Sequence, residues 1–312
     1  MVDAAHVEPC RSCADCKIAG TCADLIPLRS VIGQPTPGVS TRSVSASELA
    51  EYGQCPARWL LNRHLHLPKE TAVTQEQDRG LSVHRWLARA HSRGVQCTPA
   101  DIAESSGGLG LAEGVLSGEQ FAIAEPFLVR HLEVCPFSQP ECSLVAVEKT
   151  VYGFDSDADV IAVLKPDLVY RQRDQLIVRE TKTSLDIKVQ TRDEAYDKYL
   201  QVPFSLQAMR SGLLERYGAQ VGVVELEILS PSSQRVWRWE TTHSILAAVA
   251  AGDIRRAAEE WHDDLTWETK PGPQCGWCPV RGWCPDGDVH SLGLPTTGTG
   301  SVVPPDDDLA PF

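Results

Sequence analysis

Leu164-Lys-Pro-Asp-Leu-Val-Tyr170, a polar connection over Arg171–Asp174, and Gln175-Leu-Ile-Val-Arg-Glu-Thr-Lys-Thr-Ser184 form the stretch that decides the fold. Two apolar runs rich in Val, Ile and Leu around a short polar segment have the pattern of a β-hairpin. Alternation along the second run places Leu176, Val178, Glu180 and Lys182 on one face, and Ile177, Arg179 and Thr181 on the other. Pairing Tyr170 with Gln175 sets Asp167 opposite Val178 and on the Glu180/Lys182 face. It is then a diagonal neighbour of Glu180, about 7–8 Å away at the backbone, near enough for both carboxylates to hold one cation. Two acids and an ammonium on an otherwise apolar sheet face are unfavourable unless a metal or substrate compensates them. Three such residues also match by chance, and the plain alternative is an exposed hairpin with a polar outer face. The apolar hairpin setting and the proline before Asp167 weigh against that alternative.

The chain of 312 residues has room for one large domain or two small ones. Its 42% hydrophobic and 23% charged residues are ordinary for a globular protein. The beginning lacks a basic region followed by an apolar core. The longest apolar run, around Ile245–Ala251, is too short to span a bilayer. A cytoplasmic protein with no membrane partner is expected. The net charge of −13 works against nonspecific nucleic-acid binding. Five of the aspartates lie beyond Pro285 with no Lys or Arg, so the rest of the chain is only about −8. Charge weakens a DNA assignment without excluding it.

Eleven cysteines are many for a reducing compartment, where disulfides are rare. Cys13-x2-Cys16-x5-Cys22 and Cys275-x2-Cys278-x5-Cys284 repeat one spacing at opposite ends of the chain. Such spacing points to metal or cluster ligation. Cys10, Cys13, Cys16 and Cys22 can close around one tetrahedral zinc or a small iron–sulfur cluster, with zinc the simpler choice because nothing nearby selects iron. Unused thiols on a disordered tail are the alternative. Cys97, Cys135 and Cys142 lack a pattern and are expected as buried or incidental thiols.

A Pro/Gly/Ser/Thr-rich linker at Gly33–Thr41 closes an N-terminal segment of residues 1–40. Ser45 or Ser47 is an N-cap for a helix continuing through Cys55-Pro-Ala-Arg-Trp. Gln77–Arg93 is a helix with Leu81, His84, Ala88 and His91 on one stripe; His91 is expected in the core. Thr98–Val134 is helical, broken at Gly107–Gly110. Ser143–Gly153 is a strand containing Glu148, and Val160–Tyr170 and Gln175–Thr183 form the hairpin. Asp193–Tyr217 is mostly helix. Val221–Leu229 alternates Val224, Leu226 and Ile228 with Glu225 and Glu227, as a half-buried strand would. Arg235–Thr241 is a further strand and Thr242–Trp267 a long helix capped by Thr242. The acidic Gly/Thr/Pro tail, 286–312, is expected to be disordered.

Pro166-Asp167 with Glu180-Thr181-Lys182 resembles the signature of the PD-(D/E)XK nuclease superfamily. Gly80-x3-His84 resembles the motif that RecB-type nucleases carry upstream of it. Cys55-Pro, ahead of these motifs, and Cys275, Cys278 and Cys284, behind them, resemble the arrangement in iron–sulfur RecB-type nucleases such as the AddB helicase-nuclease subunit and the CRISPR adaptation exonuclease. The resemblance covers about residues 45–285. It implies a restriction-endonuclease-like α/β core, a mixed central sheet flanked by helices, with cysteine-ligated terminal segments. It implies Mg²⁺ or Mn²⁺ at His84, Asp167, Glu180 and the Thr181 carbonyl, with Lys182 as the catalytic ammonium. It implies a 4Fe–4S cluster on Cys55, Cys275, Cys278 and Cys284, and DNA, single-stranded or at duplex ends, as substrate of an exonuclease. The family's Gln-x3-Tyr helix, which helps hold substrate, is matched only by Gln201, with Ser205 in the Tyr position; Pro203 favours a turn at Gln201 just ahead of the helix, where a simple capping role is the alternative. No Gly-x4-Gly-Lys-Ser/Thr phosphate loop is present, which speaks against a helicase. Two other classes compete: a non-catalytic DNA-binding or redox-sensing iron–sulfur module, and a zinc-stapled protein-binding scaffold.

Overall fold

A proline cannot donate to a ladder and is poorly placed inside a paired strand. Pro166 accordingly splits the expected Val160–Tyr170 strand in two. The structure, a computed structural model, describes residues 8–16, 19–28, 42–69, 74–218, 222–284 and 286–287. In chain order its main elements are β1 (Ile26–Leu28), β2 (Arg42–Ser45), α1 (Ala46–Gln54), α2 (Pro56–Trp59), α3 (Gln75–His91), α4 (Pro99–Ser105) and α5 (Gly118–Leu132). There follow β3 (Cys142–Val147), β4 (Val151–Asp155), β5 (Val160–Leu164), β6 (Leu168–Gln172), β7 (Gln175–Thr183), α6 (Arg192–Lys198), α7 (Gln201–Arg210), β8 (Gly222–Leu229), β9 (Gln234–Glu240) and α8 (Ser244–Asp263).

The strands form two mixed sheets, ordered β3-β6-β7-β8-β9 and β1-β4-β5-β2. The expected α/β class and restriction-endonuclease-like architecture hold, with two sheets in place of one. Ser143–Gly153 divides as Val160–Tyr170 does: β3 joins the larger sheet and β4 the smaller, with Glu148 at positive φ (51°) between them. The Glu148 N–H donates to the Asp167 carbonyl at 3.1 Å, so both breaks lie at one level, where the sheets part.

The hairpin is tighter than expected. Gln172 pairs with Gln175 across a turn at Arg173–Asp174, and Tyr170 faces Ile177. This register differs by two residues from the expected one, which preserves parity. Asp167 therefore stays on the Glu180 face, but level with Glu180 instead of diagonal to it. β7 and β8 are parallel, and the crossover that parallel pairing requires is supplied by α6 and α7. At Gly222 an added Cβ would lie 2.2 Å from the Leu176 carbonyl oxygen, so glycine allows these two strands to close.

Leu176 and Val178 pack on Phe204, Ala208 and Met209 of α7 and within the same cluster as Leu49, Tyr52, Trp59, Ile254 and Trp261 of α1, α2 and α8. A second cluster joins α3, α4 and α5 to Leu229 of β8. β8 is buried along its whole length, not half-buried: Glu225 and Glu227 are 1% and 0% exposed. Arg179 reaches Glu225 at 2.7 Å, and His131 reaches Glu227 at 2.7 Å. A charge network in place of solvent thus accounts for the acids that alternate along β8.

Ser45 caps α1 and exchanges capping contacts with Glu48. α1 ends at Gln54, and Cys55 stands between it and α2, where the expected helix ran on unbroken. His243, not Thr242, caps α8, its side chain accepting from the Leu246 N–H. From the N-terminal segment, β1 pairs in parallel with β4, while Ala19 and Leu25 pack on Ile161 and Val163. The Gly33–Thr41 linker and the tail beyond residue 287 lie outside the described residues. No described helix is long and apolar enough to cross a membrane.

Candidate active site

The parting of the two sheets opens a cavity of about 430 Å³ whose walls include His84, Glu148, Lys165, Asp167, Glu180 and Gln201. α3 delivers His84 from above β7. Its Nδ1 lies 3.1 Å from one Asp167 oxygen and 3.9 Å from Glu148. The second Asp167 oxygen accepts the Thr181 N–H at 2.7 Å, which fixes the carboxylate's orientation. One donor atom each from His84, Glu148 and Asp167 falls within 4.8 Å of the others. Lys165, at the strand break, pairs with Glu148. The sequence motifs thus converge on one site, and Glu148 joins them. Its signal in the sequence was an acid inside an apolar strand; what could not be read was the left-handed break that turns it toward Asp167.

Burial opposes charge on the His84 imidazole, yet Asp167 beside it holds its pKa above the ordinary histidine value. Burial would lift Asp167 as well, but His84, Lys182 and the Thr181 N–H bring it below the usual carboxylate range. Glu180 goes the other way: burial first, and then the Asp167 charge, push it well above that range. Neighbouring buried acids shift their pKa values apart in this manner. The Lys182 charge lowers the pKa values of His84, Asp167 and Glu180 alike. The Thr181 hydroxyl points to the opposite face and donates to Glu227 at 3.0 Å.

Gln201 is the first residue of α7, inside the helix and not in a turn ahead of it. Its Nε2 contacts Ser47 Oγ at 3.4 Å, and Ser205, one turn on, lines the same cavity with its buried hydroxyl unpartnered.

On the far side of α1 and α2, Cys55, Cys275, Cys278 and Cys284 line a second, smaller cavity. The chain after α8 is held there by several contacts. The Ala57 N–H donates to the Glu268 carbonyl at 3.3 Å, and the Lys270 N–H points at Cys55 Sγ at 3.5 Å. Trp59 stacks on Trp267 with ring centroids 5.0 Å apart. Burial pushes the Cys278 and Cys284 thiols up, and the Cys55 thiol close by adds to both shifts. The N-terminal group winds the same way as the C-terminal one. Successive three-residue turns link Cys10, Cys13, Cys16, Ala19 and Cys22 in one segment, and Gly272, Cys275, Cys278, Arg281 and Cys284 in the other. Burial, then the Cys10 and Cys22 charges, raise Cys13.

The profile of the PD-(D/E)XK nuclease superfamily matches residues 43–285. The chain belongs to this superfamily. Among solved structures it is similar to the crystal structure of SSO0001, with 15% identity, a TM-score of 0.39, and 78% of this chain and 85% of that one covered. The curated proteins gave no significant match. The superfamily's divalent-metal chemistry suits the donors present: carboxylate oxygens with one imidazole favour a hard or borderline cation. For this PD-(D/E)XK protein, nucleic acid is the substrate class.

Proposed function

We propose that the protein is a divalent-metal-dependent deoxyribonuclease, an exonuclease of the RecB type acting on single-stranded DNA or duplex ends. The observation that carries this is the convergence of His84, Glu148 and Asp167 within 4.8 Å, in a cavity also lined by Glu180. His84, Asp167, Glu180 and the Thr181 carbonyl would hold Mg²⁺ or Mn²⁺, with Glu148 as a further carboxylate. When bound, such a cation polarises a scissile phosphate and makes a bound water more acidic. The protein's own residues prepare for this. Thr181 holds Asp167 in place through its N–H, His84 gives up its proton at Nδ1 to serve as a ligand, and Glu180 releases the proton that its burial retains. Lys182 supplies a fixed ammonium to orient the attacking water or to stabilise charge developing on the phosphate. Gln201, at the cavity wall, contacts the substrate.

In the same proposal Cys55, Cys275, Cys278 and Cys284 bind a 4Fe–4S cluster that ties the segment after α8 to α1 and α2. Cys10, Cys13, Cys16 and Cys22 bind a separate zinc ion. The protein works in the cytoplasm in DNA repair and recombination, phage defence or CRISPR adaptation. A decayed, non-catalytic relative would usually have lost one of Asp167, Glu180 or Lys182, and all three are present. The test is anaerobic purification with metal analysis, followed by cleavage assays on end-labelled single- and double-stranded DNA with Mg²⁺ or Mn²⁺. Brown protein carrying iron and shortening DNA from its ends with either metal is the expected result. Colourless, iron-free protein would remove the cluster from the proposal, and absence of cleavage with both metals would remove the nuclease. Paired Cys13→Ser and Cys16→Ser substitutions should lower zinc content and leave iron unchanged.

A further inference from the structure

Four metal-ligating side chains meet in the interior, on the opposite side of β7 from the cavity. His91 is the last residue of α3, Cys97 lies in the loop after it, His131 is near the end of α5, and Cys135 follows α5. Their exposures are 3%, 1%, 0% and 1%. One donor atom from each lies within 4.8 Å of the other three. The two imidazoles meet through Nε2 atoms 3.0 Å apart, and the Cys97 N–H points at Cys135 Sγ at 3.4 Å.

From this arrangement we infer that His91, Cys97, His131 and Cys135 form a buried structural zinc site. It shares no ligand with the nuclease centre or with either terminal cysteine group. Tetrahedral zinc, with bonds of about 2.0–2.1 Å to nitrogen and 2.3 Å to sulfur, sets its donors about 3.3–3.8 Å apart. The two imidazole nitrogens are 3.0 Å apart and all four donors fall within 4.8 Å of one another, so small side-chain shifts would bring them to that spacing. The His131 tautomer is set by its carboxylate partner: Nδ1 is 2.7 Å from a Glu227 oxygen and so carries its proton there. Its Nε2 lone pair then faces the His91 Nε2 at 3.0 Å, beside the two thiols and available as a ligand. A proton could satisfy those two atoms alone; the two thiols converging on the same point call for an ion with four bonds. Two thiolates and two neutral imidazoles suit borderline-soft zinc. They also cancel its charge, so the site can be fully buried without a net ionic penalty.

Glu227 completes the arrangement. A zinc-bound histidine commonly donates its other ring N–H to a carboxylate, which fixes its tautomer and orientation. Glu227 is such a carboxylate for His131. Its other oxygen accepts the Thr181 hydroxyl at 3.0 Å, and the Thr181 N–H holds Asp167 at 2.7 Å. Glu227 is therefore a positioning residue linking the zinc site to the catalytic strand. The ion would pin the ends of α3 and α5 together against β8, and α3 is the helix that carries His84.

The competing explanation is a Cys97–Cys135 dithiol that closes into a disulfide, which needs neither histidine. Zinc and iron should be counted in the full chain, washed with chelator, for wild type and the Cys97→Ser/Cys135→Ser variant. The variant should lose one zinc per chain and keep its iron. Equal zinc in both proteins, or a Cys97–Cys135 disulfide in peptides from wild type, overturns the inference. Should the variant fail to fold, zinc-edge X-ray absorption of wild type decides. The terminal cysteine groups can contribute only sulfur, so imidazole nitrogen in the zinc shell supports the site and a sulfur-only shell rejects it. Glu227→Gln tests the positioning role: zinc should be lost to chelator about 10–100-fold more readily, with kcat reduced more than KM is raised. Unchanged chelator resistance would deny Glu227 its part.

Discussion

Glu180→Gln separates the roles of charge and shape in the active site. Extending the hairpin register one pair beyond Leu168↔Arg179 sets Asp167 level with Glu180, and directly opposed residues have Cβ atoms about 4.5–5.5 Å apart. Two full charges about 5 Å apart at an effective dielectric near 20 repel by about 3 kcal/mol. Burial and the Asp167 charge raise the Glu180 pKa, which favours its protonated form and relieves this repulsion. A folded-state pKa above the unfolded one contributes stability that is complete below the unfolded value and lost as pH rises through the folded one. Metal-free wild type should therefore weaken as pH climbs above the ordinary glutamate range, by no more than about 3 kcal/mol from this pair. Glu180→Gln keeps the shape, removes the titration and should flatten that part of the profile. His84, also raised, adds a decline of the same sign at higher pH in both proteins. Divalent metal should restore wild type, by about 2.7 kcal/mol at one hundred times its Kd, and restore the variant far less. Anaerobic chemical denaturation followed by tryptophan fluorescence, across pH with chelator or Mn²⁺, measures all of this. Parallel pH profiles for wild type and variant would refute the reasoning.

Lys182→Ala should retain metal binding, measured by calorimetry, yet lose turnover in single-turnover cleavage, because its charge acts in the transition state. Cys278→Ser should abolish absorbance near 400 nm and reduce iron content, with thermal unfolding at lower temperature as the segment after α8 comes loose. Trp59→Ala removes a side chain 4% exposed, stacked on Trp267 and edge-on to Trp261 at 5.6 Å. It should destabilise the fold by about 3–5 kcal/mol, and limited proteolysis should then cut first near residues 264–272.

Much of the site was legible because its parts obey local rules. Strand parity alone put Asp167, Glu180 and Lys182 on one face, and a two-residue error in register left that parity intact. The helix start at Ser45 or Ser47 and the stripe holding His84 were equally local. The sheet division was harder. Pro166 marked one break, but the break at Glu148 is a left-handed residue with no glycine or proline to announce it. Glu225 and Glu227 read as solvent-facing because Arg179 and His131, the partners that neutralise them, lie 46 and 96 residues away. His91, Cys97, His131 and Cys135 carried no pattern for the same reason: two distant helix ends supply them, and only tertiary packing brings them together.

The central claim rests on Asp167, whose carboxylate meets both His84 and the Thr181 N–H. The most direct test is the Mn²⁺-dependent cleavage rate of Asp167→Ala on labelled DNA, beside wild type at matched iron absorbance. The account predicts that cleavage disappears while the cluster absorbance stays unchanged. An Asp167→Ala protein that cuts DNA at the wild-type rate would contradict it.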